Sequence, residues 1–238
     1  MAGSLKTEGI VLRSMRYGEA DRILHLYTPH RGRVSAIAKG VRRAKSRFGG
    51  RLEPFFRLQL VLYEGKSELL TVTSAETLAG HRKLREHGPS IDTAARACDA
   101  VARLFDDGDP HEGVYHLLAN ELALLDAEPD RAGRANALAF RLKLLLAAGF
   151  APQLSACASC GEREHLQGFS GAAGGVVCSA CEAGAFGLEQ SAHDFLVAAL
   201  GRPLADTPEA PQRALAQAER AINATVEHHA HVRWRSVA

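Results

Sequence analysis

No run of about 18 apolar residues occurs in the chain, so no membrane-spanning helix is expected. Met1 to Ile10 carries no apolar signal core, which makes the cytosol the expected compartment. No phosphate loop, nucleophile elbow or dinucleotide fingerprint is present, which leaves no basis for ATP use or catalysis and points away from an enzyme. Internal repeats and long disordered segments are missing as well. Cysteine is scarce, at five in 238 residues. Cys98 sits alone in an apolar helical pattern and reads as a small core residue. The other four fall within 25 positions in two tight pairs, which in a cytosolic protein favours a metal over disulfides.

What the chain does have is charge, unevenly placed. Its net charge is only +2, yet residues 1–85 hold 17 Lys/Arg against 7 Asp/Glu, and the remainder holds 12 against 20. The first part suits a polyanion and the second does not.

Residues 5–78 read as β. Gly9 to Arg16, Asp21 to Thr28 and Arg33 to Lys39 are the first three strands, with Pro29 to Gly32 as a turn. Pro54 to Tyr63 is the clearest strand, because Phe56, Leu58, Leu60 and Leu62 alternate with Phe55, Arg57, Gln59 and Val61. Glu64 to Ser67 is a short turn and Glu68 to Thr73 its return strand. Five strands in so short a stretch suit a small closed barrel, OB-like or SH3-like. Beyond residue 80 the pattern turns helical over Ile91 to Phe105, Glu112 to Ala127, Arg131 to Ala148, 189–200 and 209–232. A Gly/Cys-rich insert at about 152–188 interrupts it. The expected architecture is α+β and multidomain: an OB-like β-barrel at 1–80, then a helical domain at 81–238 with an inserted four-cysteine zinc ribbon.

The strongest motif is Cys157-x2-Cys160-x17-Cys178-x2-Cys181. A two-residue spacer lets two thiolates from one tight turn face one ion, and four such sulfurs satisfy tetrahedral Zn2+. Four cysteines leave no water position, so one structural zinc per chain is expected rather than a hydrolytic one. The second signal is the acid-free segment containing Lys39, Arg42, Arg43, Lys45, Arg47 and Arg51, with Phe48 among them. Basic side chains neutralise phosphates and an aromatic can stack on an unpaired base. Arg13, Arg16, Arg22, Arg31 and Arg33 extend the positive surface on the expected barrel. Other signals are weak. His111, Glu112 and His116 miss the metalloprotease spacing by one residue, and His228, His229 and His231 read as an exposed helix end.

Four segments follow one another at the start of the chain: Lys6-Thr-Glu-Gly-Ile-Val-Leu-Arg13, Tyr17-Gly-Glu-Ala-Asp-Arg-Ile-Leu24, Thr28-Pro-His-Arg-Gly32 and Ala38-Lys-Gly-Val-Arg-Arg43. In this order they resemble the RecO family of bacterial DNA repair proteins. Leu146 to Leu154 before the first Cys knuckle, and Gly174-Gly-Val-Val-Cys178 before the second, match too. The resemblance implies an OB-fold, a helical domain and a zinc ribbon in a protein of the RecF pathway. It also implies binding of single- and double-stranded DNA, strand annealing, partnership with RecR, contact with the tail of single-stranded-DNA-binding protein, and indirect help in loading RecA. Nucleoid association would follow. For the acidic tail peptide the candidate contacts are Arg134, Arg141 and Lys143, which border apolar Leu138, Phe140, Leu142 and Leu145. From the residues alone, an RNA-binding barrel of translation or ribosome assembly fits the basic half equally well, and a zinc-dependent hydrolase is a third reading. The last 35 residues carry no family motif.

Overall fold

The computed structural model describes residues 3–43, 45–65, 67 and 69–237. Strand β1 (Gly3–Tyr17) pairs along its first half with β4 (Arg57–Glu64) and along its second half with β2 (Asp21–Thr28). β3 (Gly32–Ala38) joins β2 antiparallel and meets β5 (Leu70–Ala79) in parallel, and β5 returns to β4. The barrel therefore closes in the order β1-β2-β3-β5-β4, the OB-like arrangement. Closure makes β1 six residues longer at its start than the alternation suggested, because that half must cover β4.

The inner face carries Val11, Leu24, Leu26, Ala36, Leu58, Leu60, Leu62 and Val72, all fully buried. The expected strand start at Pro54 moves to Arg57. Phe55 turns to φ 74°, its N–H bonds the Val11 carbonyl, and its carbonyl accepts from buried His81 Nδ1. Lys66 and Glu68 of the expected turn and return strand lie outside the described residues.

The short helix α1 (Arg82–Glu86) packs against α2 (Gly88–Leu104) and α3 (Glu112–Ala127), and these two pack on the barrel. Glu112 opens α3 with its carboxylate in the first turn, where the helix dipole favours negative charge. Phe105 sits edge-on to Tyr27 with ring centres 6.0 Å apart. Tyr115 Oη and Arg57 both donate to Glu8 Oε2, at 2.8 and 2.7 Å, so the Arg57 guanidinium, then Tyr115, holds the Glu8 carboxyl below its usual range. Gly32 must be glycine: its φ is +58°, and a Cβ there would lie 2.0 Å from the Asp109 carbonyl oxygen.

The chain divides into two compact units, Met1–Pro129 and Asp130–Ala238. The expected boundary at residue 80 thus differs from the structural one, since α1 to α3 share the barrel's unit. The second unit holds α4 (Arg134–Ala147), the strands β6 (Leu166–Ser170), β7 (Gly175–Cys178) and β8 (Phe186–Gly187), then α5 (Gln190–Gly201) and α6 (Gln212–Ala230). The three short strands order as β7-β6-β8. Phe140, Leu142, Leu145, Phe195, Leu196, Leu215 and Ile222 from the three helices are buried. Residues 231–237 fold back over this unit: Trp234 and Val237 are buried, and the Arg141 guanidinium lies 5.4 Å from the Trp234 ring.

Candidate metal centre and nucleic-acid interface

Both Cys knuckles are placed by backbone pairing. Gln153 N–H bonds the Gly174 carbonyl and Val176 N–H the Gln153 carbonyl, so the segment before the first knuckle runs beside β7. The approach is close enough that a Cβ on Gly175 would sit 2.2 Å from the Gln153 carbonyl oxygen. Ala158 N–H then bonds the Val176 carbonyl and Cys157 N–H the Glu162 carbonyl, which curls the first knuckle over the hairpin. A short 3-10 turn, Ser179–Cys181, forms the second.

The Sγ atoms of Cys157, Cys160, Cys178 and Cys181 all lie within 4.8 Å of one another. Cys160 and Cys178 are 3.7 Å apart, near the edge of about 3.8 Å that a tetrahedron with zinc–sulfur bonds of about 2.3 Å would have. Hydrogen bonding from the backbone of Cys178, and more weakly of Cys160 and Ser159, pulls the Cys157 thiol down to about 6. Its neighbours Cys160 and Cys178 push Cys181 up to about 12. Four soft sulfurs, one already favouring the thiolate, form a donor set that can hold a metal ion.

The basic residues divide into two groups. Arg13, Arg16, Lys39, Arg42, Arg43, Lys45, Arg47 and Arg51 are exposed and ion-paired with no carboxylate of the described residues. Three others are engaged. Arg22 bonds Ser14 and Glu53 at 2.9 and 3.0 Å, Arg31 pairs with Glu64 at 3.3 Å, and Arg33 pairs with Asp107 while donating to the Ala102 carbonyl. Phe48 corrects the sequence reading. It is 2% exposed and belongs to the barrel core with Leu52 and Phe56, because the loop between β3 and β4 packs these apolar side chains into that core. The ring is consumed by the core and offers no face to a base.

The basic face expected on α4 is also corrected. Leu138, Phe140, Leu142 and Leu145 are buried core rather than the floor of a groove. Arg141 is 3% exposed; it donates to the Arg235 carbonyl at 2.5 Å and lies 3.9 Å from Glu219, so it pins the C-terminal tail. Lys143 donates to the Leu200 carbonyl at 3.1 Å, and burial lowers its pKa. Arg134 lines a cleft of about 540 Å³ shared with Phe186, Arg220 and Asn223, and even there it binds Glu219 at 2.7 Å. Sequence reasoning missed Glu219, which is 4% exposed and the hub of this cluster; a lone Glu on a helix gives no sign of burial. Among the described residues no helix is long and apolar enough to cross a membrane.

Two family models match the chain. The model described as Recombination protein O N terminal matches residues 1–81, and Recombination protein O C terminal matches residues 93–237. The DNA repair protein RecO of Rubrobacter xylanophilus is 43% identical over 182 residues, covering 76% of this chain and 72% of its own. That of Anaeromyxobacter dehalogenans strain 2CP-C is 37% identical, covering 94% and 91%. That of Myxococcus xanthus is 34% identical, covering 97% and 94%. With the N-terminal and C-terminal models matched in order along the chain, and with these relatives, the chain belongs to the recombination protein O family.

Proposed function

We propose that the chain is a DNA-binding mediator of repair and recombination that grips strands through its basic barrel and anneals complementary single strands without nucleotide. One observation carries the reading: Arg13, Arg16, Lys39, Arg42, Arg43, Lys45, Arg47 and Arg51, all exposed and paired with no carboxylate of the described residues, lie on an OB-like barrel and the loop between β3 and β4. The four thiolates hold one zinc whose work is structural, cross-linking the two knuckles. RecR, the acidic tail of single-stranded-DNA-binding protein and, indirectly, RecA are the partners that family membership suggests. The tail peptide would meet Arg134, which lines the cleft beside its bond to Glu219, rather than Arg141 or Lys143, whose donors go to the Arg235 and Leu200 carbonyls.

Affinity for single-stranded DNA measured at several salt concentrations tests the reading. If about six phosphates are neutralised, log K against log salt falls with a slope near −4. Changing Arg42, Arg43, Lys45 and Arg47 together to Glu removes most affinity in a protein that stays folded, because all four are exposed. Wild-type binding by that folded variant removes the loop from the account. Preference for a matched RNA oligomer would redirect the reading to RNA.

A further inference from the structure

The pairing of β1, β2 and β3 sets side chains in rows across the outer wall of the barrel. Ile10–Tyr27–Arg33 form one row, Arg13–His25–Ser35 the next, then Met15–Ile23–Ile37, and Tyr17–Asp21 at the hairpin tip. The alternating positions, Leu24, Leu26, Ala36 and Ala38, point into the core. This outer wall is divided. At one end Ile10 and Tyr27 are fully buried, with Phe105 against Tyr27. At the other end the wall opens. Met15, Ile23 and Ile37 there are half-buried apolar residues on a wall that would ordinarily carry polar ones, and Tyr17 is 54% exposed.

Charge follows the same division. Residues 80–129, which supply the covering helices, hold 10 acidic and 5 basic residues, whereas residues 1–79 hold 14 basic and 7 acidic. The open end is also tied to the basic loop. Arg42 N–H bonds the Ala20 carbonyl at 2.9 Å, Arg42 Nη1 bonds the Glu19 carbonyl at 3.1 Å, and Gly40 N–H bonds Asp21 Oδ1 at 2.8 Å. These bonds hold Lys39, Arg42 and Arg43 beside the hairpin that carries Arg16 and Tyr17.

We infer that this open end is the site for unpaired nucleotides, with Tyr17 as the stacking platform. Met15, Ile23 and Ile37 form the apolar floor beside it, and Arg13, on the same face, and Arg42 meet the phosphates. The inference rests on the DNA-binding reading above and deepens it by naming the face and the strand state. A duplex hides the faces of its bases within its own stack, so a tyrosine platform selects single strands, while the cations serve both forms. Tyr17 takes the part that the sequence suggested for Phe48.

The test uses the full-length protein, an oligo-dT probe and a blunt duplex. Tyr17→Ala loses roughly 5- to 150-fold in affinity for oligo-dT, the range expected for one base stacked on one aromatic ring. Its duplex affinity stays within about twofold and its salt slope is unchanged, because no phosphate contact is removed. Tyr17→Trp supplies a second readout. The chain has one tryptophan, the buried Trp234, so the wild type gives the background. Quenching of the added indole by saturating oligo-dT, and less by duplex, supports stacking. Wild-type oligo-dT affinity in Tyr17→Ala, or an added indole left unquenched at saturation, overturns the proposal while the DNA-binding reading stands. A wild type that binds neither probe overturns both.

Discussion

Glu219 gathers four groups onto one buried carboxylate. Val237 N–H donates at 2.5 Å, Arg134 at 2.7 Å and Ser236 Oγ at 2.9 Å, with Arg141 at 3.9 Å. Burial alone would raise its pKa; the Val237 N–H, Arg134 and Ser236 outweigh it, and the net value lies below 4.5. A carboxyl depressed in this way stabilises the fold above its unfolded pKa and loses that contribution as pH falls through the folded value. Glu219→Gln should therefore destabilise the protein at neutral pH by about 1.5–3 kcal/mol, the worth of a charge-assisted hydrogen bond. It should also flatten the loss of stability below pH 4.5. Denaturant melts from about pH 7 to about pH 3 check both, and an unchanged acid limb in the variant would remove Glu219 from the account. At this scale the sequence was least legible. Phe48 looked exposed because its neighbours are basic and Arg141 because it is itself charged, and local composition cannot say which side chain a loop or tail will bury. Tyr17 did carry a signal, an aromatic between Arg16 and Gly18 at a hairpin tip, where a core residue has nothing to pack into.

Among elements, those whose periodicity or punctuation is complete were legible. β2 is Asp21–Thr28 and α3 is Glu112–Ala127, matching the sequence reading, since polar turns bound the first and Pro110 and Pro129 flank the second. β1 was underestimated because its first residues, Gly3 to Glu8, have weak alternation and become a strand by pairing with β4. The ribbon was legible from cysteine spacing alone, because two-residue spacers leave few ways to arrange four sulfurs. Its core is small, with Val177, Cys157 and Cys178 buried and Leu166, Ala173 and Ala185 against them. With the zinc proposed above in place, such a core would depend on it. Cys178→Ser should lose zinc, which contributes on the order of 10 kcal/mol in structural sites, and should open the ribbon to protease while the barrel stays folded. Elemental analysis finding no zinc in wild-type protein purified without chelator would refute the zinc assignment.

For the molecule as a whole, the charge asymmetry acquires a different map. The unit at 130–238 is neutral, with 10 basic and 10 acidic residues, so the acidic excess of the helical half resides in the layer that covers the barrel. That layer is part of the barrel's fold. A fragment ending at residue 129 should melt cooperatively and keep DNA binding, whereas one ending at residue 80 should be unstable. Exposing Ile10 and Tyr27 costs roughly 1.5–3 kcal/mol each. Equal melting temperatures for the two fragments would show the helices to be dispensable. The sequence by itself determined the five-strand barrel, the four-cysteine centre and the concentration of positive charge, because these rest on short-range spacing and composition, and its motifs carried the resemblance to the family. Only the tertiary structure decided which aromatic is buried, which arginines are committed to carboxylates and carbonyls, and which end of the barrel wall lies open. Those depend on contacts between residues far apart in the chain, such as Tyr27 with Phe105, Arg22 with Glu53 and Arg141 with Arg235.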